Sequence, residues 1–177
     1  HGFDDIFIAK YNEDGSCVWA KNMGGAGSAE EGNSIAVDDS GYIYVTGQFY
    51  STADFDPGSG DYNLNSNGDN NYDIFVAKYN SDGGFVWANN MGGSHAADEG
   101  KSIAVDSIGN VFVTGYFTNS SDGSGVDFDP GAGTDILTSN GNKDIFIAKY
   151  KPDGGYARAK NMGGNSDDEG NSIAANN

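Results

Sequence analysis

One stretch of the sequence returns at a nearly constant interval, and this repetition limits the fold more than any other feature. The segment 32–49, GNSIAVDDSGYIYVTGQF, returns at 100–117 as GKSIAVDSIGNVFVTGYF. A third copy, GNSIAANN, occupies 170–177. Internal copies at a regular period indicate a fold built from like units that stack on one another.

Each period contains four candidate strands joined by tight turns. The first complete set is 34–38, 42–49, 73–79 and 85–89, and 5–11 belongs to the preceding, incomplete unit. Successive side chains of a strand point to opposite faces, and in these strands both faces are largely apolar, which predicts cover on both sides. The 28 glycines fit the many turns, and Asp-Gly pairs supply the positive φ that a tight hairpin needs.

A four-stranded antiparallel unit with two apolar faces needs like units against each face, which is the arrangement of a β-propeller blade. The predicted fold is all-β: two and a half to three blades in an open arc, forming a segment of a larger propeller. A parallel β-helix is the alternative, but its coils are shorter and lack Asp-Gly hairpins. The single domain 1–177 divides into outer strands of a partial blade at 1–25, full blades at 32–93 and 100–164, and the inner strand of a further blade at 170–177.

The sequence also resembles a known family over essentially its whole length. The runs DIFVAKYNSDGGFVWANNMGG at 73–93, EGKSIAVDSIGNVFVTGYF at 99–117 and VDFDPG at 126–131 resemble the bacterial β-propeller repeat family called SBBP. The resemblance implies propeller blades within larger secreted or cell-surface proteins. It also implies a scaffold, because the family has no shared catalytic residues.

Two copies of a DFDPG motif are the candidate metal sites. The candidate ligands are Asp54, Asp56, Asp127 and Asp129. Alternating aspartates before a glycine turn resemble the first half of a calcium loop, because hard cations need several oxygen atoms from a compact bend. The alternative interpretation is structural: Phe55 and Phe128 enter the core, and the aspartates cap the turn. Calcium is therefore the only cofactor that the sequence suggests.

A second acidic set recurs once per unit, each pair directly before a glycine. Its members are Glu30-Glu31, Asp98-Glu99 and Asp168-Glu169. Paired carboxylates serve acid/base catalysis in glycosidases. A catalytic pair is needed once, however, and this one recurs in every unit, which favours a structural role such as capping loop amides.

We predict no catalytic residue and no other cofactor-binding residue. His95 has no second histidine nearby, and Ser34, Ser102 and Ser172 have no companion histidine for a triad. The glycine pairs lack the lysine of a phosphate loop. Trp19 and Trp87 are expected to pack between outer strands rather than to stack on sugars. The third copy has Tyr156-Ala157-Arg158 at the corresponding place, so tryptophan there is not obligatory.

Charge and connectivity define the expected function. With Asp+Glu 26 against Lys+Arg 9 and a net charge of −17, nucleic acids and anionic membranes are excluded as partners. Connections alternate between two edges of a meander, so the segments 50–72 and 24–31 are predicted to share one edge, and binding usually resides on such loops.

We therefore expect a non-enzymatic extracellular or cell-surface scaffold for protein or glycan binding or assembly. Its expected partners are further blades or copies of the chain, joined through exposed strand edges. The alternative is a fragment of a secreted polysaccharide-acting enzyme whose catalytic residues lie elsewhere. The start at His1, in the middle of a repeat and without a signal peptide, favours a processed product or an excised fragment.

Overall fold

The computed structural model describes residues 4–27, 29–68, 71–94, 97–120 and 123–176, and these residues form strands and turns without any helix. The prediction of an all-β fold is confirmed. The described strands are β1 (Ile6–Tyr11), β2 (Cys17–Met23), β3 (Ala29–Val37), β4 (Ile43–Tyr50), β5 (Thr52–Asp54), β6 (Asn63–Asn65), β7 (Tyr72–Tyr79), β8 (Phe85–Met91), β9 (Glu99–Val105), β10 (Val111–Thr118), β11 (Val126–Asp127), β12 (Ile136–Leu137), β13 (Lys143–Tyr150) and β14 (Tyr156–Met162). Within the described part of the chain, no helix is long and apolar enough to cross a membrane.

The strands form antiparallel sheets in which neighbours in sequence pair with each other. The first four-stranded sheet has the order β3-β4-β7-β8, and the second contains β9-β10-β13-β14. The N-terminal strand pair, β1 with β2, has the sequence of the last two strands of such a sheet. Two short hairpins, β5-β6 and β11-β12, lie within the connections from β4 to β7 and from β10 to β13.

Two hydrophobic cores lie between the sheets. One joins Ile6 and Ile8 of the N-terminal strand pair to Phe49 and Phe75 of the first four-stranded sheet. The other joins the two four-stranded sheets to each other and includes Ile74. The first four-stranded sheet therefore has both faces buried, as the apolar pattern predicts, because each face packs on another sheet.

A glycine in the second strand of each four-stranded sheet allows close approach of the neighbouring backbone. A Cβ atom on Gly47 would lie 1.8 Å from the carbonyl oxygen of Glu31, and one on Gly115 would lie 1.8 Å from that of Glu99. No other residue fits without moving the strand. The glycine of the Val-Thr-Gly sequence shared by β4 and β10 thus has a direct structural cause.

The connections alternate between two edges, as predicted, because both sheets are antiparallel meanders. The β3–β4 and β7–β8 turns are short and use Gly41 and Gly83 at φ of 81° and 75°. The connections spanning 51–71 and 92–98 leave from the opposite edge. Length and acidity therefore collect on one side of the sheets.

The structure differs from the predicted element bounds at the start of β3. The prediction of a loop at 24–31 is wrong at its end, because β3 begins at Ala29 and pairs with β4 through Glu30 and Glu31. The inner strand predicted at 170–177 stays a prediction: residues 170–176 pair with no described strand, and Asn177 lies outside the described residues. Ile173 nevertheless donates its amide to Ser102 Oγ at 3.2 Å, repeating the contact of Ile103 with Ser34.

Candidate functional site at the long-loop edge

The candidate site is the long-loop edge, which consists of the described residues within 51–71, 92–98 and 119–142. It contains both DFDPG motifs and the acidic segment around Asp98. Loops carried on a rigid framework are the usual place for binding residues. His95 lies outside the described residues.

The phenylalanine of each DFDPG motif is buried in a sheet junction. Phe55 is fully buried and lies edge-to-face with Phe49, with ring centroids 5.5 Å apart. Its carbonyl accepts a hydrogen bond of 3.1 Å from the Tyr79 hydroxyl. Phe128 repeats this arrangement with Phe117, at 5.6 Å. The structural interpretation of the phenylalanines is confirmed.

The aspartates of the first motif hold its turn through backbone amides. Asp54 Oδ1 accepts from the amides of Asp56, at 3.0 Å, and Tyr62, at 2.8 Å. Asp56 Oδ1 accepts from the Gly58 amide at 2.8 Å. Charge-assisted bonds of this kind fix a turn strongly.

The second motif has the same contacts. Asp127 Oδ1 accepts from the amides of Asp129 and Asp135, and Asp129 Oδ1 accepts from that of Gly131. Among the described residues, no group of three or more acidic, histidine or cysteine side chains is arranged to hold a metal ion. Calcium binding at these aspartates stays a prediction.

Both motifs also join neighbouring sheets. The Gly24 amide donates to the Asp54 carbonyl at 3.0 Å, which links the end of β2 to the β5-β6 hairpin. Gly92, after β8, forms the same kind of antiparallel bridge with Asp127. Each DFDPG hairpin therefore fastens its own sheet to the preceding one.

A pair of buried carboxyl groups occupies the junction between the two four-stranded sheets. Asp73, at the start of β7, and Asp98, just before β9, are both completely buried. Asp73 Oδ2 accepts from the amide of Asn67 at 2.8 Å, while Oδ1 has no hydrogen-bond partner among the described residues. Asp98 accepts from the amides of Gly93 and Thr118, at 3.2 and 2.9 Å.

Burial disfavours the charged form of both groups. It raises the pKa of Asp73 to about 7, although hydrogen bonds from Asn67 and Asn90 act in the opposite direction. Burial also raises the pKa of Asp98 to about 8, with a smaller contribution from the charge of Asp73. The two carboxyl groups thus retain a proton at a pH where an exposed aspartate has none.

The sequence did not single out Asp73 as a functional residue, although a signal was present. The same aspartate precedes the apolar run of each third strand, as Asp144 does in the second four-stranded sheet. Asp144 is also completely buried. A Cβ atom at Gly92 or Gly163 would lie within 2.1 or 2.3 Å of the neighbouring aspartate carboxyl, which explains the first glycine of each MGG sequence.

The two members of each acidic pair have different partners. Glu99 Oε1 accepts from the Asn33 side chain at 3.0 Å, on the inner strand of the neighbouring sheet, whereas Asp98 binds loop amides. Glu169 binds Lys101 and Lys143, and these hydrogen bonds lower its pKa. Glu99 and Glu169 therefore contribute contacts between successive units, whereas Glu31 accepts from Gln48 of its own sheet at 3.0 Å.

Of the remaining residues, Trp87 and Ser34 contact neighbouring units. Trp87 donates from Nε1 to the Pro152 carbonyl at 3.1 Å, across the sheet junction, so the packing interpretation of this tryptophan is confirmed. Arg158, at the equivalent place in the second four-stranded sheet, is exposed. Ser34 Oγ accepts the Ile103 amide, and Cys17 is an exposed free thiol.

Comparison with known protein families shows what the repeated segments are similar to. Residues 18–56 and 87–124 match the family model SBBP, described as a beta-propeller repeat. Two segments of the chain are thus similar to this repeat. The resemblance stated from the sequence is thus confirmed, and each matched segment runs from the last strand of one sheet through the first two strands of the next to the following long loop.

No curated protein matches the sequence. Among solved structures, the chain is similar to a protein of unknown function from Bacteroides caccae. The two share 15% identity, with 90% of this chain and 70% of that one covered, at a TM-score of 0.25. A likeness at this TM-score supports no inference about function.

Proposed function

We propose that this chain is a non-enzymatic scaffold of two and a half to three β-propeller blades in an open arc. In this proposal it works outside the cell or at the cell surface and assembles with further blades. Its long-loop edge binds a protein or a glycan. The observation that supports the proposal best is the repetition of one set of inter-sheet contacts, at Asp54 and again at Asp127.

The burial of side chains also supports a scaffold role. The DFDPG phenylalanines and the capping aspartates fix the described base of each long loop. Ile136 is 50% exposed on this edge, and Tyr62 is 39% exposed and stacks on Phe85. Apolar and aromatic groups on an acidic, rigid edge suit a partner with both apolar and hydrogen-bonding surface.

Capture on glycan and protein arrays tests this proposal. We expect a ligand to be retained by the wild-type chain and lost on Ile136→Ser. Retention by Val18→Ser is the control, because Val18 is exposed on β2, away from the long-loop edge. Arrays without any retained ligand, or equal loss with both variants, would contradict binding at this edge.

Calcium is the second part of the proposal and is tested separately. We expect millimolar calcium to raise the thermal midpoint of metal-free protein if the DFDPG aspartates bind it, and the rise to shrink in Asp56→Asn. An unchanged midpoint would remove calcium from the proposal without affecting the scaffold. Repeating the arrays with a chelator then tells whether ligand capture needs the ion.

A further inference from the structure

A small pocket lies on the edge opposite to the long-loop edge, at the junction between the two four-stranded sheets. It is lined by residues of the turns 38–42 and 106–110, together with Lys78 and Pro152, and its volume is about 190 Å³. We call it the turn pocket. The first turn and Lys78 belong to one four-stranded sheet, whereas the second turn and Pro152 belong to the next. The turn pocket therefore exists only where the two sheets meet.

Lys78 is the charged group beneath this pocket, and it is only 7% exposed. Its Nζ donates to the Pro152 carbonyl at 3.1 Å. The same atom lies 4.3 Å from the ring centroid of Tyr42 and 5.0 Å from that of Tyr44. An ammonium group has three N–H donors, and among the described residues Pro152 is its one hydrogen-bond acceptor. Two donors of Lys78 therefore remain for a bound molecule.

The nearby carboxylate of Asp38 does not supply the missing acceptor, because its own turn uses both oxygens. Oδ1 accepts from the amides of Ser40 and Tyr42, each at 2.9 Å, and Oδ2 accepts from the Tyr44 hydroxyl at 2.9 Å. Burial lowers the pKa of Lys78, and the charge of Asp38 offsets this effect only in part. A buried charged group is stabilised by hydrogen-bond partners, so a ligand oxygen would stabilise Lys78.

The turn pocket also differs from the contacts that every unit repeats. Tyr42 has Asn110 at the corresponding place of the second four-stranded sheet. The lysine does recur, as Lys149, which lies 4.9 Å from the Phe112 ring but is half-buried, whereas Lys78 is buried. Contacts that recur in each unit follow from the stacking of sheets, whereas a ligand site is needed once.

We propose that the turn pocket binds one neutral sugar residue. Tyr42 is 37% exposed and offers an apolar ring surface to the C–H groups of the sugar, and Lys78 donates to a sugar oxygen. Asp39 and Ser107 have exposed side chains at the rim, where a carboxylate and a hydroxyl can bond to further sugar hydroxyls. This site is independent of the proposed ligand binding at the long-loop edge.

Size and charge select this ligand class. Sites for drug-sized ligands have volumes of roughly 300–1,000 Å³, so a pocket of about 190 Å³ suits a single sugar residue. The chain has a net charge of −17, and Asp38 and Asp39 both line the pocket. An anionic ligand would be repelled, so we expect a neutral sugar rather than a uronic acid.

The test is a titration of the full chain with glucose, galactose, mannose and N-acetylglucosamine, followed by amide chemical shifts in NMR spectra. We expect at least one of these sugars to give saturable shifts that centre on Tyr42, Ser107 and Gly109, with a millimolar Kd. The uronic acid of the same sugar should bind more weakly, because it adds a negative charge.

Three variants assign the binding to the pocket. Tyr42→Ala should weaken it at least tenfold, and Lys78→Met, which keeps an apolar side chain but loses the donors, should do the same. Tyr11→Ala is the matched control, because Tyr11 is a 61% exposed tyrosine of β1 outside the pocket, and it should leave binding unchanged. Tyr42 lies at the surface, so its variant tests the pocket even if Lys78→Met fails to fold.

Four results would each overturn the proposal. They are no saturable shifts with any of the four sugars, shifts centred on the long-loop edge, equal affinity in wild type and Tyr42→Ala, and tighter binding of the uronic acid than of the neutral sugar. Ligand capture at the long-loop edge is measured with Ile136→Ser, so the two binding proposals can fail separately.

Discussion

The sequence Asp-Ile-Phe-[Ile/Val]-Ala-Lys-Tyr occurs three times, in β1, β7 and β13, and it has three different environments. In β7 every apolar side chain of this sequence is buried. In β1 the isoleucines are buried, but Phe7 and Tyr11 are 74% and 61% exposed. In β13 the opposite face is open, and Ile147 is 37% exposed. One local sequence thus gives a fully buried strand only where sheets lie on both sides of it.

The largest difference in stability should come from truncating two equivalent phenylalanines, Phe75 in the first four-stranded sheet and Phe7 in the N-terminal strand pair. Phe75→Ala removes a completely buried ring and should lower the free energy of unfolding by about 3–5 kcal/mol. Phe7→Ala removes a largely exposed ring and should change it by about 0.5 kcal/mol or less. Urea denaturation of both variants measures the difference, and equal losses would mean that Phe7 is covered in solution.

The free energy of unfolding should depend on pH differently when the buried Asp73 carboxyl is present and when it is replaced. The pKa of Asp73 is raised to about 7 in the folded state, above its unfolded value of 3.8, so folding takes up a proton between these values. The stability contributed by the protonated form is complete below about pH 4 and is lost as the pH rises through about 7. The slope approaches about 1.4 kcal/mol per pH unit for each such group.

Asp73→Asn should remove this contribution, because asparagine keeps the neutral state at every pH. We expect the variant to be more stable than wild type at pH 8 and to have a flatter stability profile between pH 5 and 8. Asp39→Asn, an exposed change in the β3–β4 turn, is the control. Parallel profiles for Asp73→Asn and wild type would mean that Asp73 titrates like an exposed residue.

Trp87 should contribute to stability because it contacts the following sheet, whereas the residue at the equivalent exposed place should not. Trp87→Ala loses the hydrogen bond to Pro152 and the contact beneath Gly154, where a Cβ atom would lie 3.0 Å from the indole. We expect a loss of about 2 kcal/mol, below that of a fully buried aromatic residue. Arg158→Ala, at the equivalent exposed place, should be neutral within about 0.5 kcal/mol in the same thermal-melting series.

The smallest effect should come from the turn caps. Asp54→Ala leaves the amides of Asp56 and Tyr62 without their acceptor and should destabilise the chain by about 1–2 kcal/mol in metal-free buffer. Asp127→Ala should give a similar loss, because its contacts are the same. If both variants matched wild type in metal-free buffer and were destabilised only with calcium present, the aspartates would act as metal ligands rather than caps.

The sequence by itself determined the strands of the four-stranded sheets, the short turns and the distribution of loops between two edges, but not the short hairpins β5-β6 and β11-β12. Alternating apolar residues, Asp-Gly turns and a fixed period are local signals, and each acts over a few residues. The sequence also predicted the burial of Phe55 and Phe128, because strand alternation separates them from the adjacent aspartates.

Only the tertiary structure decided which carboxyl groups are buried together and which copy of a repeated strand is covered. Asp73 and Asp98 lie 25 positions apart in sequence, and their pKa values depend on burial between two sheets. Phe7 and Phe75 have nearly identical local sequences, yet they differ in exposure. Among the described strands, only Phe75 has the β3-β4 hairpin beside its strand and another sheet against its face. The exposure of a side chain depends on the elements packed around it, so copies of one local sequence can be buried to different extents.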